Sequence, residues 1–317
     1  MSYGYRPPQA PRRRASRRTY LVRRVVALAV ILIVGYAGYS GVSSVFGSDG
    51  GGVADAPITP STHTVVNDGI TPTTLPPTTT TQPPVKERTV PTADNPAEVL
   101  ILGDSDAGAF GPYLKTLLDQ TGIAKAEVDY KTSSGLSRPD FYDWPAHMRE
   151  VVPQKNPDVV VVTFGGNDAQ GLRNVDKSWA VNHPPASGVD DADWKAEYAK
   201  RVGAAMDYLT EGNRTLVWVG IPNAESASTT ARMQVQDEVV RAEAAKRAKK
   251  VHFVDTWARF SGRNGGYAEF VIDPRDGVGK DVRADDGFHL NVTGAEILAL
   301  DIAEAVKDDL RARGAKI

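Results

Sequence analysis

Residues 97–317 of this 317-residue chain predict an α/β domain in which a parallel sheet is covered by helices on both faces. Short apolar runs rich in β-branched residues alternate with longer runs of helical periodicity. The run 157–164 (PDVVVVTF) has no polar alternation, as is typical of a strand buried on both faces. Strands that alternate with helices form parallel sheets, because the helix brings the chain back to the end of the sheet where the previous strand began.

Five strands and five helices are predicted, in alternation along the chain. The predicted strands are 97–103, 126–131, 157–164, 214–221 and 251–254. The predicted helices are about 108–121, 139–152, 191–211, 228–249 and 293–312. In sheets of this kind, ligands bind at the carboxyl ends of the strands, near the point where the strand order reverses. The segments that follow the strands are therefore where we expect a functional site.

The first 46 residues predict a single transmembrane anchor. Residues 1–24 contain eight arginines and no acidic residue, and residues 25–46 contain no charge. At about 1.5 Å per residue, such an uncharged run can span a hydrocarbon core of about 30 Å. Because basic residues flank the run on one side, we expect 1–24 to form a cytoplasmic tail and the later domain to lie outside the membrane. A buried core helix is the alternative interpretation of the apolar run.

The same segment also resembles an export signal. Residues 16–21 (SRRTYL) are similar to a twin-arginine signal, and residues 54–56 form an A-x-A pattern typical of a cleavage site. The apolar run exceeds the usual signal length of about 7–15 residues, which favours a retained anchor. In the alternative, the protein is exported and released. Either interpretation places the rest of the chain outside the cytoplasm.

Residues 47–96 predict a disordered linker. The stretch 71–84 contains seven threonines and five prolines among its fourteen residues. Such a composition buries too little apolar surface to offset the entropy lost on folding. We therefore expect the folded domain to occupy residues 97–317.

Composition and charge exclude several classes of protein. The formal net charge of −2 argues against a nucleic-acid-binding protein. The chain contains no cysteine. It can therefore form no disulfide, no thiolate metal site and no cysteine nucleophile.

A serine follows the first predicted strand, in the sequence Gly103-Asp104-Ser105. The glycine allows a tight turn, which places Ser105 near the positive end of the following helix. There the hydroxyl and the backbone N–H are exposed, as a nucleophile requires. The alternative is that Asp104 and Ser105 only cap the helix, where both residue types are favoured.

Candidate oxyanion donors follow the next two strands. Residues 165–168 (GGND) come after the third strand, and the Asn167 amide there can donate to a developing oxyanion. Gly135, after the second strand, can offer its backbone N–H as a further donor. A simple Gly-Asn turn is the alternative interpretation of Asn167.

An aspartate and a histidine precede the last predicted helix. The spacing of Asp286 and His289 lets the carboxylate hold one ring nitrogen, so that the other can accept a proton from a serine. The alternatives are a surface histidine in a capping loop and a metal site formed by Asp285, Asp286 and His289. The five histidines form no H-x-H or H-E-x-x-H pattern, so we expect neither a metal nor a cofactor.

Together, these residues resemble the SGNH (GDSL-type) hydrolase family. The matching residues are Ser105 in G-D-S, Gly135, Asn167 in G-G-N-D, and Asp286 and His289 in D-x-x-H. The resemblance covers most of 97–317 and implies a flavodoxin-like, three-layer α/β/α fold. It implies that Ser105 is the nucleophile, His289 the base and Asp286 its orienting residue. It also implies an oxyanion hole formed by Ser105, Gly135 and Asn167.

Several further residues are candidates for binding substrate. Asp106 stands where the family motif has leucine, and we expect it to contact substrate together with Arg283. Arg275 lies in the same long loop as Arg283 and is another candidate. The long segment 179–194 has a tryptophan at each end, and tryptophan faces suit sugar rings. Packing of Trp194 in the core is the alternative for that residue.

The resemblance implies acyl-ester chemistry at the cell envelope. We expect an extracytoplasmic serine esterase that acts on acyl esters, foremost O-acetyl esters, of an envelope glycan. One alternative is an O-acyltransferase supplied by a polytopic membrane partner, because the same acyl-enzyme serves both reactions. Another is a non-catalytic wall-binding module, against which the complete set of marker residues argues. Nucleic acid is not an expected partner.

Overall fold

The computed structural model describes residues 87–317, whose centre is a sheet of five parallel strands flanked by two small antiparallel hairpins. In chain order, the strands are β1 (Ala97–Gly103), β2 (Ala124–Tyr130), β3 (Val159–Thr163), β4 (Leu172–Arg173), β5 (Trp179–Val181), β6 (Thr215–Val219), β7 (Val251–Val254), β8 (Phe270–Ile272) and β9 (Gly279–Asp281). The hairpins pair β4 with β5 and β8 with β9. The helices are α1 (Ser105–Asp119), α2 (Trp144–Lys155), α3 (Ala192–Leu209), α4 (Ala227–Ala245), α5 (Thr256–Arg259) and α6 (Val292–Ala312).

The order of the central sheet is β2-β1-β3-β6-β7. This is the order of flavodoxin-like sheets, whose switch point lies between the first and third strands. At the carboxyl end of β1, Gly103 lies in register with Tyr130 of β2 and Thr163 of β3. The predicted parallel sheet and three-layer α/β/α arrangement are thereby confirmed. The switch point falls where the segments containing Ser105 and Asn167 begin.

Alternate residues of each central strand face opposite layers of the core. Ile101 and Val161 face the layer that contains α1 and α6. Leu102 and Val162 face the layer that contains α2, α3 and α4. All four side chains are fully buried. Because helices cover both faces, the strands show the unbroken apolar pattern seen in the sequence.

Two helices begin at residues other than those predicted. α1 begins at Ser105 rather than near 108, because the Asp104 side chain accepts the backbone N–H of Asp106 and caps the helix. α2 begins at Trp144 rather than near 139, because Asp143 caps it through the N–H of Ala146. In both cases, a capping aspartate decides where the helix starts.

The chain joins the domain at the amino ends of the strands. Arg88 donates to Asp309 of α6 at 2.7 Å and to Thr215, the first residue of β6. Pro91 is buried. Residues 88 and 91 thus contact the domain, although the predicted linker extends to residue 96. No helix between residues 87 and 317 is long and apolar enough to cross a membrane.

The remaining predictions about the amino-terminal third fall outside the described residues. They are the cytoplasmic tail at 1–24, the anchor at 25–46 and the linker up to residue 86. These assignments stay predictions from the sequence.

Candidate active site

Ser105 lies at the carboxyl end of β1, as the first residue of α1. The turn between them requires Gly103, which has a φ of +149°. A Cβ on Gly103 would lie only 2.3 Å from the carbonyl oxygen of Thr163. Asp104 then caps the helix by accepting the N–H of Asp106 at 3.1 Å. The hydroxyl and N–H of Ser105 therefore lie at the positive end of α1.

The loop before α6 brings a histidine to this serine. His289 Nε2 lies 3.2 Å from Ser105 Oγ, within hydrogen-bond reach. On the other side of the ring, His289 Nδ1 lies 2.7 Å from Asp286 Oδ2. Asp286 Oδ1 accepts the backbone N–H groups of Phe288 and His289, at 2.9 and 3.0 Å. Ser105, His289 and Asp286 thus form a continuous hydrogen-bonded chain.

Hydrogen bonds keep the carboxyl group of Asp286 ionised. Partial burial alone would raise its pKa, but donation from His289 and from two backbone N–H groups lowers the pKa below its usual value of 3.8. An ionised Asp286 favours a proton on His289 Nδ1. His289 Nε2 is then left free to accept the proton of Ser105.

Phe288 packs the histidine loop against the loop that follows β3. Its ring lies over Gly166, where a Cβ would be 2.5 Å from a ring carbon. The same ring meets the ring of His289 edge-on, at a centroid distance of 4.7 Å. A side chain at position 166 would therefore displace the loop that carries His289.

Asn167 lies in the 3₁₀ turn Gly166–Asp168 that follows β3. Its Nδ2 donates to Asp104 Oδ2 at 3.1 Å, and the N–H of Gly165 donates to the same oxygen at 2.7 Å. The carboxyl group that caps α1 thereby joins the loops after β1 and β3. Because an amide NH₂ has two hydrogens, the bond to Asp104 leaves one hydrogen for an oxyanion at Ser105.

Gly135 lies in the loop after β2, directly against the side chain of Asp168. A Cβ at this position would lie 2.0 Å from Asp168 Oδ1, so a larger residue does not fit. Asp168 Oδ2 accepts the N–H of Leu136 at 2.9 Å, and Oδ1 accepts the N–H of Ser137 at 2.8 Å. The backbone around Gly135 is thus bound to the turn that carries Asn167, as two donors to one oxyanion require.

Asp168 and Arg201 hold this loop, and neither was among the predicted site residues. Asp168 is fully buried and also accepts the hydroxyl of Tyr198 at 2.8 Å. Burial raises the pKa of Asp168, although these donors oppose the rise. Arg201, from α3, donates to the carbonyl oxygen of Leu136 at 2.9 Å. Asp168 is the last residue of the G-G-N-D motif. Its position directly after the predicted donor Asn167 is the signal in the sequence that points to it.

Asp104 and Asp106 form a pair of carboxyl groups beside Ser105. A Cβ on Gly165 would lie 3.0 Å from Asp104 Oδ2 and 2.3 Å from Asp106 Oδ2, so both carboxyl groups flank the same glycine. Burial and the charge of Asp106 raise the pKa of Asp104 above its usual value of 3.8. Burial also raises the pKa of Asp106, although the positive charges of nearby side chains oppose it. A substrate contact by Asp106 stays a prediction.

Arg283 lies beneath the site rather than at its surface. The residue is 4% exposed. Its guanidinium donates to four acceptors of the protein: the carbonyl oxygens of Phe260, Ala268 and Phe288, and Asn223 Oδ1. Burial lowers its pKa to about 10. The expectation that Arg283 contacts substrate is therefore corrected, because its donors are occupied by the protein.

The other substrate-binding candidates separate into buried, paired and exposed residues. Trp194 is fully buried, and its Nε1 donates to the carbonyl oxygen of Gln170 at 2.8 Å, so its core interpretation is the correct one. Arg275 is paired with two acidic side chains, Asp273 and Glu296. Trp179 is exposed on the hairpin β4–β5.

The alternative of a metal site formed by Asp285, Asp286 and His289 is not supported by the geometry of the described part of the chain. Between residues 87 and 317, no group of three histidine, cysteine or acidic side chains is placed to hold a metal ion. Asp286 is instead hydrogen-bonded to His289.

Residues 98–305 match the family model described as "Protein of unknown function (DUF459)". The chain belongs to this family. The matched span includes the five marker residues: Ser105, Gly135, Asn167, Asp286 and His289. No curated protein matches the chain.

Several solved structures are similar to the chain at low sequence identity. One is a lipase/acylhydrolase from Enterococcus faecalis, with 16% identity and a TM-score of 0.48 over 67% of this chain and 96% of that chain. Another is a GDSL-like lipase from Bacteroides thetaiotaomicron, with 17% identity and a TM-score of 0.44 over 67% and 89%. A third is a catalytic mutant of an acetylxylan esterase from Geobacillus stearothermophilus, with 17% identity and a TM-score of 0.46 over 69% and 95%.

The strand order and the assembled marker residues are those of an SGNH-type serine hydrolase. The resemblance stated from the sequence is thereby confirmed. The segments after β1 and β3 and the loop before α6 converge at one edge of the sheet, and the loop after β2 is bound to them through Asp168.

Proposed function

We propose that this DUF459 protein is an extracytoplasmic serine esterase that removes acyl groups, foremost acetyl groups, from a cell-envelope glycan. The observation that supports the chemistry most directly is the chain Ser105–His289–Asp286, with contacts of 3.2 and 2.7 Å. A serine hydroxyl bonded to an imidazole, which is itself held by a carboxylate, is the arrangement that activates serine as a nucleophile.

In the first half-reaction, Ser105 Oγ attacks the ester carbonyl carbon and its proton passes to His289 Nε2. Asp286 stabilises the resulting imidazolium. The oxyanion of the tetrahedral intermediate accepts hydrogen bonds from the N–H groups of Ser105 and Gly135 and from the Asn167 amide. One such donor typically lowers the barrier by about 2.7–4 kcal/mol. His289 then returns the proton to the departing sugar hydroxyl, which leaves an acyl group on Ser105.

The second half-reaction distinguishes an esterase from an acyltransferase. The side chains of His289 and Asp286 are 37% and 50% exposed, so water reaches the base. His289 removes a proton from this water, which attacks the acyl carbonyl carbon, and His289 then returns the proton to Ser105 Oγ as the bond to the acyl group breaks and the acid leaves. Transfer to a sugar hydroxyl requires a site that excludes water. The exposure therefore favours hydrolysis over transfer with a membrane partner.

Ester hydrolysis by the full-length protein in detergent tests this proposal. The substrates are 4-nitrophenyl acetate and O-acetylated envelope polysaccharide. The wild type should release nitrophenol and acetate, whereas Ser105→Ala should release neither and keep its melting temperature. Ser228→Ala, an exposed serine in α4, is the matched control and should keep full activity.

Two outcomes would contradict the esterase proposal in different ways. Full activity of Ser105→Ala would exclude the serine mechanism. Appearance of the acetyl group on an added oligosaccharide, with no free acetate, would identify an acyltransferase instead.

The location is a separate part of the proposal and is supported by the sequence alone. The arginines of 1–24 and the uncharged run 25–46 favour an anchor with the domain outside the cytoplasm. Alkaline phosphatase fused to residue 317 should be active in export-competent cells, because the enzyme folds only outside the cytoplasm. An inactive fusion would refute the location without affecting the proposed chemistry.

A further inference from the structure

The hairpin β4–β5 presents a tryptophan to solvent. Trp179 is 49% exposed. The other four tryptophans contribute to the core, three of them fully buried and one partly buried: Trp144, Trp194, Trp218 and Trp257. A single exposed apolar residue is common on a protein surface. Trp179 requires further explanation because of how it is held and where it lies.

The indole ring of Trp179 is held in a fixed orientation. The guanidinium carbon of Arg173 lies 3.7 Å from the ring centroid, as in a cation–π stack. That guanidinium is itself fixed by donation to the carbonyl oxygen of Lys177. At the ring edge, Cζ3 packs against Gly171, where a Cβ would lie 2.8 Å away. Arg173 covers one face of the ring, and about half of the residue's surface remains open to solvent.

The hairpin is bound to both loops of the proposed oxyanion hole. The N–H of Arg173 donates at 3.0 Å to the carbonyl oxygen of Ser137, which lies two residues after Gly135. Trp179 packs on Gly171, which lies four residues after Asn167. Four residues span at most about 14 Å. The glycine on which the ring of Trp179 packs is therefore within about 14 Å of Asn167, and an oligosaccharide whose ester is bound at Ser105 would span a distance of this order to reach the ring.

We propose that the exposed indole of Trp179 is a subsite that stacks on a pyranose ring of the glycan substrate, away from the ester that is cleaved. The C–H groups on one face of a pyranose complement the electron-rich face of an indole. The same hairpin carries three exposed polar side chains that hydrogen-bond one another and have further lone pairs or hydrogens for sugar hydroxyls: Asn174, Asp176 and Ser178. This inference rests on the proposed function, because it concerns the glycan that carries the ester.

Steady-state kinetics of the full-length protein test the subsite through the ratio of the kcat/KM values for two substrates. 4-Nitrophenyl acetate is too small to extend from Ser105 to the hairpin, whereas an O-acetylated trisaccharide extends beyond the ester. Trp179→Ala should lower kcat/KM for the trisaccharide, relative to that for 4-nitrophenyl acetate, by about tenfold through KM. Trp179→Phe should restore most of this ratio. Phe270→Ala, an exposed aromatic residue on the other hairpin, should leave the ratio at the wild-type value.

Binding without turnover is measured by saturation-transfer NMR on the Ser105→Ala protein. The probes are O-acetylated trisaccharides of xylose, glucose, N-acetylglucosamine and mannose. At least one should bind, and should bind about tenfold more weakly when Trp179→Ala is added. Equal binding with and without Trp179, or binding of none of the four probes, would overturn the subsite. Trp179-dependent binding by a protein that hydrolyses no ester would instead overturn the esterase and uphold the subsite.

Discussion

Replacing Asp168 by asparagine is expected to slow turnover by loosening the loop that carries Gly135. The carboxylate accepts the N–H groups of Leu136 and Ser137, at 2.9 and 2.8 Å, and the hydroxyl of Tyr198 at 2.8 Å. Asparagine offers one acceptor oxygen and one NH₂ donor. In Asp168→Asn, the N–H group of either Leu136 or Ser137 therefore faces the NH₂ group of the asparagine and loses its acceptor inside the protein.

The size of the effect follows from these contacts. A buried N–H left without an acceptor costs about 1–3 kcal/mol, so the free energy of unfolding should fall by about that amount. The loop must move to relieve the contact, and Gly135 moves with it. Loss of one oxyanion donor corresponds to a decrease in kcat of about 10²–10³-fold. KM should change little, because the donor acts on charge that develops in the transition state.

Tyr198→Phe separates the positioning effect from simple loss of stability. It removes one hydrogen bond to the same carboxylate but leaves the bonds to Leu136 and Ser137 in place. Its free energy of unfolding should also fall, by about 1–3 kcal/mol, whereas kcat should stay within a few-fold of the wild type. Both variants are compared by steady-state kinetics with 4-nitrophenyl acetate and by urea unfolding. Near-native kcat in Asp168→Asn, or equal losses of kcat in both variants, would refute the positioning role.

Three further perturbations have defined outcomes. Asn167→Ala should lower kcat by about 10²–10³-fold with little change in KM, and Asn167→Asp should also lower the melting temperature, because it adds a carboxylate beside Asp104. A near-native kcat in Asn167→Asp would show that the Asn167 amide does not donate to the oxyanion. Because the pKa values of Asp104 and Asp106 are raised, the native state holds these protons more tightly, and the contribution of these two groups to the free energy of unfolding should fall as the pH rises above about 4. In urea unfolding between pH 4 and 8, Asp106→Asn should therefore gain stability relative to the wild type as the pH rises, and parallel profiles would contradict this reasoning. Dialysis against EDTA should leave ester hydrolysis unchanged, and a loss restored by added zinc would indicate a metal mechanism.

The central sheet could be predicted from the sequence because each strand is an apolar run between two helical segments. The run 97–103 was predicted and observed with identical bounds. The hairpins β4–β5 and β8–β9 were not predicted, because strands of two or three residues are too short to show a period of two. The start of α1 was predicted too late, because aspartate and serine suit a turn as well as a helix cap, and the bond from the N–H of Asp106 to Asp104 fixes the start.

The candidate site could be predicted where a residue's chemistry is local, but not where it depends on distant contacts. Asp286 and His289 are three residues apart, so their hydrogen bond is visible as a spacing in the sequence. Asp168 acts on Leu136, which lies 32 residues earlier, and no local pattern records that contact. Arg283 was expected to contact substrate, because charged residues in a loop near a site usually are exposed. Its burial depends on acceptors from other loops, such as Asn223, 60 residues earlier.

Arg88 fixes the place where the chain joins the domain, and that place is at the opposite end of the sheet from Ser105. Its partners are Asp309 and Thr215, at the amino end of β6. Ser105 follows the carboxyl end of β1, a strand of seven residues that is about 20 Å long. The described chain thus enters the domain at the end of the sheet opposite the catalytic edge, so residues 88–91 lie away from the approach to Ser105.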